Sequence, residues 1–172
     1  MKHTRIAALG NSGSGKSTLA GLLARQIPAP LLDLDTVAWE PGKVAVARDS
    51  AEAVADVTAF CRGTERWIIE GCYADLVTAT LQFSPLLLFL NPGEAQCIAN
   101  CQARPWEQHK YASREEQDSK LQYLLGWVRE YYTRDGVMSL KAHRACFDGY
   151  TGPKRELTSQ PGLGVTLAEL LR

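Results

Sequence analysis

The feature that most constrains the fold of this chain is an eight-residue stretch near its N-terminus. From Gly10 to Ser17 it follows the pattern G-x-x-x-x-G-K-[ST] without deviation. A short apolar run, Thr4 to Leu9, precedes the stretch and predicts a buried strand. After it, leucines recur at helical spacing from Lys16 to Gln26, until Pro28 stops the pattern. The sequence therefore predicts a strand, a glycine-rich turn and a helix, the context in which this pattern binds phosphate groups.

The residue types of this loop suit the chemistry of phosphate binding. Glycines let backbone N–H groups turn inward around a phosphate, and the helix start adds unpaired amides and a positive dipole end. Lys16 can reach the β and γ phosphates, Ser17 can ligate Mg²⁺, and Thr18 is placed to touch the α phosphate. We therefore expect ATP with Mg²⁺, rather than GTP, since the chain has no Asn-Lys-x-Asp element. The expected nucleotide-binding residues are Gly10, Asn11, Ser12, Gly13, Ser14, Gly15, Lys16, Ser17 and Thr18.

The rest of the chain alternates between short apolar runs and amphipathic segments. Alternating strands and helices imply an α/β fold with parallel strands and helices on both faces of the sheet. The length of 172 residues favours a single domain over residues 1–172. Further strands are predicted at Leu31 to Leu34, Trp67 to Ile69, Leu86 to Leu90 and Lys154 to Thr158. Further helices are predicted at Arg48 to Cys61, Gly93 to Ala103, Glu115 to Arg134 and Val165 to Leu171.

Two carboxylates, Asp33 and Asp35, stand at the end of the second predicted strand. Residues two apart in a strand point to the same face, so both are expected to face the phosphates. Asp33 is a candidate ligand for Mg²⁺, directly or through water. Asp35 is a candidate to accept a proton from an acceptor hydroxyl or to hydrogen-bond that acceptor. The alternative is that one or both only cap the following turn.

The spacing from Lys16 to Asp33 and Asp35 resembles that of shikimate kinases and related small P-loop kinases. The run Trp67-Ile68-Ile69-Glu70-Gly71-Cys72-Tyr73 is similar to a strand of adenylate-kinase-like proteins described as DNA topology modulation proteins. This resemblance implies a P-loop NTPase fold with a five-stranded parallel β-sheet flanked by helices on both faces. It also implies an acceptor-binding region after the second strand and a helical lid, which falls here at about residues 104–114.

The resemblance also assigns candidate roles outside the loop. Arg104, followed by proline, stands where these kinases carry the lid arginine that neutralises charge on the transferring phosphoryl group. The alternative is a surface arginine beside a helix-stopping proline. Arg129 lies where related kinases place arginines that bind the acceptor or a phosphate, or else it only solvates its helix. Lys154 or Arg155 lies where related kinases approach the adenine base.

Glu70 marks a departure from that pattern. Shikimate kinases carry a triple-glycine turn after the third strand, where this chain has Glu70, Gly71 and Cys72. We therefore do not expect shikimate to be the acceptor. Glu70 either contacts the acceptor or a metal-bound water, or pairs with a nearby cation. The sequence leaves open whether Asp35 or Glu70 acts as the base.

Composition narrows the classes of partner. Lysine plus arginine and aspartate plus glutamate both number 19, and no basic block occurs, so we do not expect a nucleic-acid partner. No signal peptide or membrane-spanning stretch is recognisable, which favours a cytoplasmic protein without membrane contact. Five scattered cysteines favour reduced thiols over a zinc site. The expected partner is a small-molecule acceptor, and the expected assembly a monomer or homodimer.

These observations favour an ATP- and Mg²⁺-dependent phosphotransferase that acts on a small hydroxylated or phosphorylated molecule. A second hypothesis is a nucleotide-dependent regulatory ATPase, which the resemblance links to DNA topology. A third is a nucleotide-binding module without phosphotransfer.

Overall fold

The computed structural model describes residues 4–41, 46–108, 111–160, 162 and 164–170. Five strands form one sheet in the order β2-β3-β1-β4-β5, and every neighbouring pair is parallel. The strands are β1 (Arg5–Gly10), β2 (Leu31–Asp33), β3 (Trp67–Gly71), β4 (Leu86–Leu90) and β5 (Lys154–Leu157). The predicted five-stranded parallel sheet of an α/β fold is therefore confirmed.

Eight α-helices and one 3-10 turn (Leu81–Phe83) connect or follow the strands in the described part of the chain. The helices are α1 (Lys16–Gln26), α2 (Asp35–Ala38), α3 (Ser50–Gly63), α4 (Ala74–Thr80), α5 (Glu94–Gln102), α6 (Arg114–Glu130), α7 (Leu140–Gly149) and α8 (Leu167–Leu170). The hydrophobic patterns of the sequence predicted α1, α3, α5, α6 and α8, whereas α2, α4 and α7 were not predicted. The last residue predicted for α8, Leu171, lies outside the described residues. No helix of the described chain is both long and apolar enough to span a membrane.

Helix α6 ends four residues earlier than predicted. The reason is Arg134, whose Nη1 donates to the backbone oxygen of Trp127 at 2.7 Å. Its Nε and Nη2 donate to the backbone oxygen of Met138 at 2.8 Å and 2.6 Å. The guanidinium thus satisfies a carbonyl in the last turn of the helix and ties it to the following loop.

Helices cover both faces of the sheet, and the central strands β1, β3 and β4 are buried almost throughout. In β1, Ile6 and Ala8 pack on one face with residues of α1 and α8 such as Leu23. Ala7 and Leu9 pack on the other face with residues of α3, α4 and α7. A parallel strand that is buried on both faces is expected to read as a continuous apolar run rather than an alternating one.

The strand register brings the predicted site residues to one edge of the sheet. Leu9 of β1 lies opposite Gly71 of β3, and Asp33 of β2 lies opposite Glu70. The loop after β1 therefore begins beside the carboxyl ends of β2 and β3. In open parallel sheets this edge is where ligands bind.

Candidate functional site

The glycine-rich loop is shaped by positive backbone torsions and by close packing against α5. Gly13 has φ of 76° and Gly15, which caps α1, has φ of 94°, a region that disfavours side chains. A Cβ atom on Gly13 would collide with the carbonyl oxygen of Cys97. Asn100 Nδ2 donates to the carbonyl oxygen of Gly13 at 2.8 Å and holds the loop against α5.

Asn11 anchors the other side of the loop. This side chain is buried, and its Nδ2 donates to the backbone oxygen of Val128 in α6 at 3.0 Å. Its Oδ1 accepts from the backbone N–H of Ser12 at 2.8 Å. The loop is thus tied to both α5 and α6 by asparagine side chains. Asn100 is part of this support and was missed by sequence reasoning, because no local pattern links it to a loop 87 residues away.

Lys16 is buried at the start of α1, and its Nζ donates to the backbone oxygen of Asn11 at 2.9 Å. Burial alone would lower the pKa of this ammonium group. Interactions with Cys72, Glu70 and Asp35 outweigh that effect and raise the pKa above its ordinary value. Lys16 therefore carries its positive charge at neutral pH.

Glu70 is the acidic residue that contacts the loop. Only 5% of its surface is exposed, and its Oε1 accepts a hydrogen bond from Ser17 Oγ at 2.7 Å. Burial raises the pKa of this carboxyl, while Lys16 and the Ser17 hydrogen bond oppose the rise. A serine hydroxyl beside a carboxylate is an all-oxygen donor set of the kind that Mg²⁺ prefers.

Within the described ranges, no group of three or more His, Cys, Asp or Glu side chains is arranged to hold a metal ion. Mg²⁺ in nucleotide sites usually takes one or two protein ligands and fills its remaining positions with phosphate and water. The pair Ser17 and Glu70 fits that requirement.

The expectation that Asp33 and Asp35 share one face of a strand is wrong. Strand β2 ends at Asp33, Leu34 has a helical backbone with φ of −66°, and Asp35 opens helix α2. The cause is local, because Asp33 Oδ1 accepts from the backbone N–H of Asp35 at 2.9 Å and so turns the chain. The capping role weighed for Asp33 is therefore present in the structure.

Both aspartates nevertheless lie in the electrostatic surroundings of the loop. Asp35 contributes to the raised pKa of Lys16. Asp33 and Asp35 both contribute to the raised pKa of Glu70. The fold thus brings Asp33, Asp35, Glu70 and Lys16 together, although the route differs from the predicted one.

Tyr73 and Trp39 extend this cluster and were not identified as site residues from the sequence. Tyr73 Oη donates to Asp35 Oδ1 at 2.7 Å, and Trp39 Nε1 donates to Tyr73 Oη at 2.7 Å. Tyr73 belongs to the Trp-Ile-Ile-Glu-Gly-Cys-Tyr run that carries the family resemblance. That run was the available signal, but only the fold shows that its tyrosine meets Asp35.

His143 holds the backbone beside this cluster. It is fully buried, and its Nε2 lies 2.7 Å from the carbonyl oxygen of Cys72, which can only accept. Nε2 therefore carries the hydrogen of the neutral ring, and Nδ1 accepts from Tyr131 Oη at 2.8 Å. Burial lowers the pKa of His143 from 6.5 to about 4.

We expect this histidine to make folding sensitive to mild acid. Between pH 6.5 and about 4 the unfolded chain binds a proton at His143 that the folded chain does not, so stability falls as the pH falls. The loss is on the order of 2 kcal/mol at about pH 5. Denaturant unfolding at about pH 7 and pH 5 measures it, with His143→Gln as the matched variant. An equal acid-induced loss in both proteins would contradict the assignment.

Arg104 lines a cleft with the glycine-rich loop. The cleft has a volume of about 340 Å³, and its walls include Gly13, Lys16, Thr18, Asn100, Arg104, Glu107 and Gln160. Arg104 Nη1 lies 3.6 Å from Glu107 Oε2, and the side chain is 31% exposed. Gln160, which follows β5, was not predicted to be near the loop.

The first residues of the predicted lid, which spans residues 104–114, are held against α6 by Gln117. Gln117 accepts from the backbone N–H of Glu107 at 2.8 Å and donates to the carbonyl oxygen of Pro105 at 3.1 Å. Within the described residues of that range, the helical part begins at Arg114, the first residue of α6. Residues 109 and 110 lie outside the described residues.

Three other candidates do not join the cluster. Arg129 is exposed on α6 and is not among the residues that line the cleft. Lys154 donates to the backbone oxygens of Phe147 and Asp148, and Arg155 donates to that of Glu169. Lys154 pairs with Leu87 in β4, at the end of the sheet away from the loop, so it is not placed to stack on a base there.

Comparison with solved structures agrees with this architecture. A sugar kinase from Janibacter sp. HTCC2649 superposes with a TM-score of 0.52 at 14% identity, over 92% of this chain and 87% of that chain. The chain has the fold of small P-loop kinases.

Two other solved kinase structures superpose with lower TM-scores. A gluconokinase from Sinorhizobium meliloti 1021 gives a TM-score of 0.46 at 16% identity, over 99% of this chain and 89% of that chain. A shikimate kinase from Bacteroides thetaiotaomicron gives 0.46 at 15% identity, over 84% and 97%. No protein-family model and no curated protein sequence matches the chain. At these identities the likeness concerns the fold and not the substrate.

Proposed function

We propose that this protein is an ATP- and Mg²⁺-dependent phosphotransferase that acts on a small-molecule acceptor. The observation that carries the proposal is the cleft of about 340 Å³, whose walls hold both Lys16 and Arg104. Its volume falls within the range of about 300–1,000 Å³ that is usual for small-ligand sites. Two cations that line one such cleft suit a group whose negative charge spreads during transfer.

At the nucleotide end, the loop amides and the start of α1 bind the phosphates. Lys16 Nζ exchanges its present acceptor, the carbonyl oxygen of Asn11, for oxygens of the β and γ phosphates. The two asparagine ties, from Asn11 to α6 and from Asn100 to the loop, keep the amides in place before the ligand arrives. A preorganised site of this kind loses little free energy to reorganisation.

The hydrogen bond between Ser17 and Glu70 indicates which side chains would bind Mg²⁺. The sequence favoured Ser17 and Asp33 as ligands, whereas the structure joins Ser17 to Glu70 at 2.7 Å. We assign Ser17 as the protein ligand of Mg²⁺. Glu70 is the carboxylate that accepts a hydrogen bond from the Ser17 hydroxyl or from a metal-bound water. Mg²⁺, when bound, neutralises charge on the β and γ phosphates. Asp33 remains the second candidate carboxylate, and it contributes to the raised pKa of Glu70.

At the acceptor end, Asp35 is the better candidate for the residue that orients or deprotonates the attacking hydroxyl. Glu70 is buried and already accepts from Ser17, so its geometry suits the metal side. Asp35 is half-buried at the start of α2, in the region after β2. Arg104 approaches from the lid and stabilises the transferring group, and lid closure excludes water as a competing acceptor.

The test is product formation with ATP, Mg²⁺ and a panel of small acceptors that covers neutral sugars and polyols, sugar acids, amino alcohols and nucleosides. We expect ADP to appear in equal amount with one phosphorylated acceptor, identified by mass spectrometry and ³¹P NMR. An inert analogue that lacks the accepting hydroxyl serves as the control. ADP formed at the same rate with and without every acceptor would contradict the proposal and favour an ATPase.

A further inference from the structure

Three polar side chains at the acceptor end form a hydrogen-bond chain with a fixed direction. Trp39 Nε1 and Tyr73 Oη lie 2.7 Å apart, as do Tyr73 Oη and Asp35 Oδ1. An indole N–H can donate but cannot accept. Tyr73 Oη must therefore accept from Trp39, and its single hydrogen is directed to the Asp35 carboxylate.

The chain is held in place at both ends. Tyr73 is only 6% exposed, and its ring meets the Trp39 ring edge-on, with centroids 6.4 Å apart and an interplanar angle of 72°. At the other end, the backbone N–H of Asp35 is bound by Asp33 Oδ1. The residue before Tyr73, Cys72, has its carbonyl oxygen bound by His143. Asp35 is thus fixed through both its backbone and its side chain.

We propose that Tyr73 and Trp39 are positioning residues that hold the Asp35 carboxylate in the orientation needed by the acceptor hydroxyl. This inference rests on the proposed phosphotransfer and on the role of Asp35 in it. A phenol that donates to one carboxylate oxygen stops rotation of the group, and alignment of the reacting groups accounts for a large share of the rate in such reactions. The indole N–H strengthens that hydrogen bond because it polarises the phenol from behind.

Burial raises the pKa of the Tyr73 phenol far above its ordinary value, with Asp35 adding to the rise. The phenol therefore stays protonated over the whole working range of pH. It acts as a permanent donor to Asp35 and not as an acid or base that loses its proton.

The kinetic test uses Tyr73→Phe, which removes one hydroxyl and keeps the ring. With Mg-ATP and the acceptor found in the panel assay, we expect kcat to fall about tenfold while KM for ATP changes by less than about twofold. Trp39→Phe should lower kcat by about threefold in the wild-type background. In the Tyr73→Phe background it should have no further effect, because the hydroxyl that it polarises is gone. If the two substitutions instead acted only through independent losses of packing, their effects on kcat would multiply in the double variant.

Tyr150→Phe is the matched control. Tyr150 is also buried, and its hydroxyl donates to the carbonyl oxygen of Pro85 at 2.6 Å, outside the cleft. This variant should lose a similar amount of thermal stability but keep its kcat. Should Tyr150→Phe and Tyr73→Phe reduce kcat equally, Tyr73 would only support the fold.

An NMR measurement tests the hydrogen bonds between Trp39, Tyr73 and Asp35 directly and needs no phosphate acceptor. The protein has four tryptophans, so a ¹⁵N-indole spectrum is simple, and Trp39→Phe identifies the signal of Trp39. Tyr73→Phe removes the hydroxyl that accepts a hydrogen bond from the Trp39 indole, so the Trp39 N–H signal should move upfield. The N–H signals of Trp67 and Trp127 should stay in place. An unmoved Trp39 signal overturns the proposal.

The outcomes separate the two levels of inference. Wild-type phosphotransfer with an unchanged kcat in Tyr73→Phe overturns the positioning role and leaves the proposed function intact. A wild-type protein that phosphorylates no acceptor contradicts the proposed function, and the positioning role falls with it.

Discussion

Replacement of Lys16 with alanine should weaken ATP binding by about 100-fold or more and reduce phosphotransfer below detection. Lys16 supplies the one ammonium group of the glycine-rich loop, at a buried position where its charge is weakly screened. Truncation of one partner of a buried, hydrogen-bonded charge pair typically costs about 2–5 kcal/mol, and each 1.4 kcal/mol is a factor of about ten in affinity. Isothermal titration calorimetry with ATP in excess Mg²⁺ measures the binding term directly.

The same substitution should also lower the stability of the folded protein. Lys16 opposes the burial-induced rise of the Glu70 pKa, so its removal leaves a buried carboxylate near Asp33 and Asp35 without its cation. Because burial favours the protonated form of Glu70 and Lys16 no longer opposes that effect, the destabilisation should be largest at neutral pH. It should shrink as the pH falls and the folded variant binds a proton at Glu70. Thermal unfolding at about pH 7 and about pH 5 checks this sign.

Two further variants separate lost function from lost fold. Lys16→Arg keeps the positive charge, so most of the stability of the folded protein should remain. Turnover should stay low, because the planar guanidinium of arginine differs in shape from the compact ammonium group of lysine. Lys141→Ala removes a lysine that is 85% exposed on α7, and it should change neither binding nor turnover. Undiminished affinity and turnover in Lys16→Ala would remove the basis of the proposed function.

The phosphate loop was predictable because the residues that bind the phosphates are consecutive in the sequence. Gly13 and Gly15 adopt positive φ angles that glycine tolerates best. Lys16 and Ser17 follow at fixed positions in the first turn of α1. The strands were predictable for a related reason, since runs such as Leu86 to Leu90 are apolar on both faces. Both signals are local, so no knowledge of distant residues was needed.

The remainder of the site depends on partners far apart in the chain. Tyr73 meets Asp35 across 38 positions, and His143 meets Cys72 across 71, so spacing in the sequence says nothing about either contact. Asp35 shows a different limit. The strand pattern predicted that it shares one face of β2 with Asp33, but the backbone N–H of Asp35 donates to the Asp33 side chain and the chain turns into a helix there. Local competition between a polar side chain and the backbone overrode the strand pattern.

Arg104 offers the clearest separation between binding and catalysis. It is held by Glu107 in a partly exposed ion pair of 3.6 Å, and such pairs contribute at most about 1 kcal/mol. Little free energy therefore opposes its transfer from Glu107 to a phosphoryl oxygen. An arginine that serves the transition state in phosphoryl transfer is typically worth about 10³–10⁵ in kcat.

We expect Arg104→Ala to lower kcat by about 1,000-fold while the Kd for ATP rises by less than about tenfold. The reason is that charge on the γ-phosphoryl group spreads only during transfer, so the contact is stronger in the transition state than in the bound ground state. Single-turnover kinetics with the acceptor and calorimetry with ATP give the two quantities separately. Arg62→Ala is the matched control, because Arg62 is exposed in the last turn of α3, outside both the lid and the cleft. If Arg104→Ala instead weakened ATP binding and left kcat unchanged, Arg104 would belong to the nucleotide site alone and the lid would have no part in transfer.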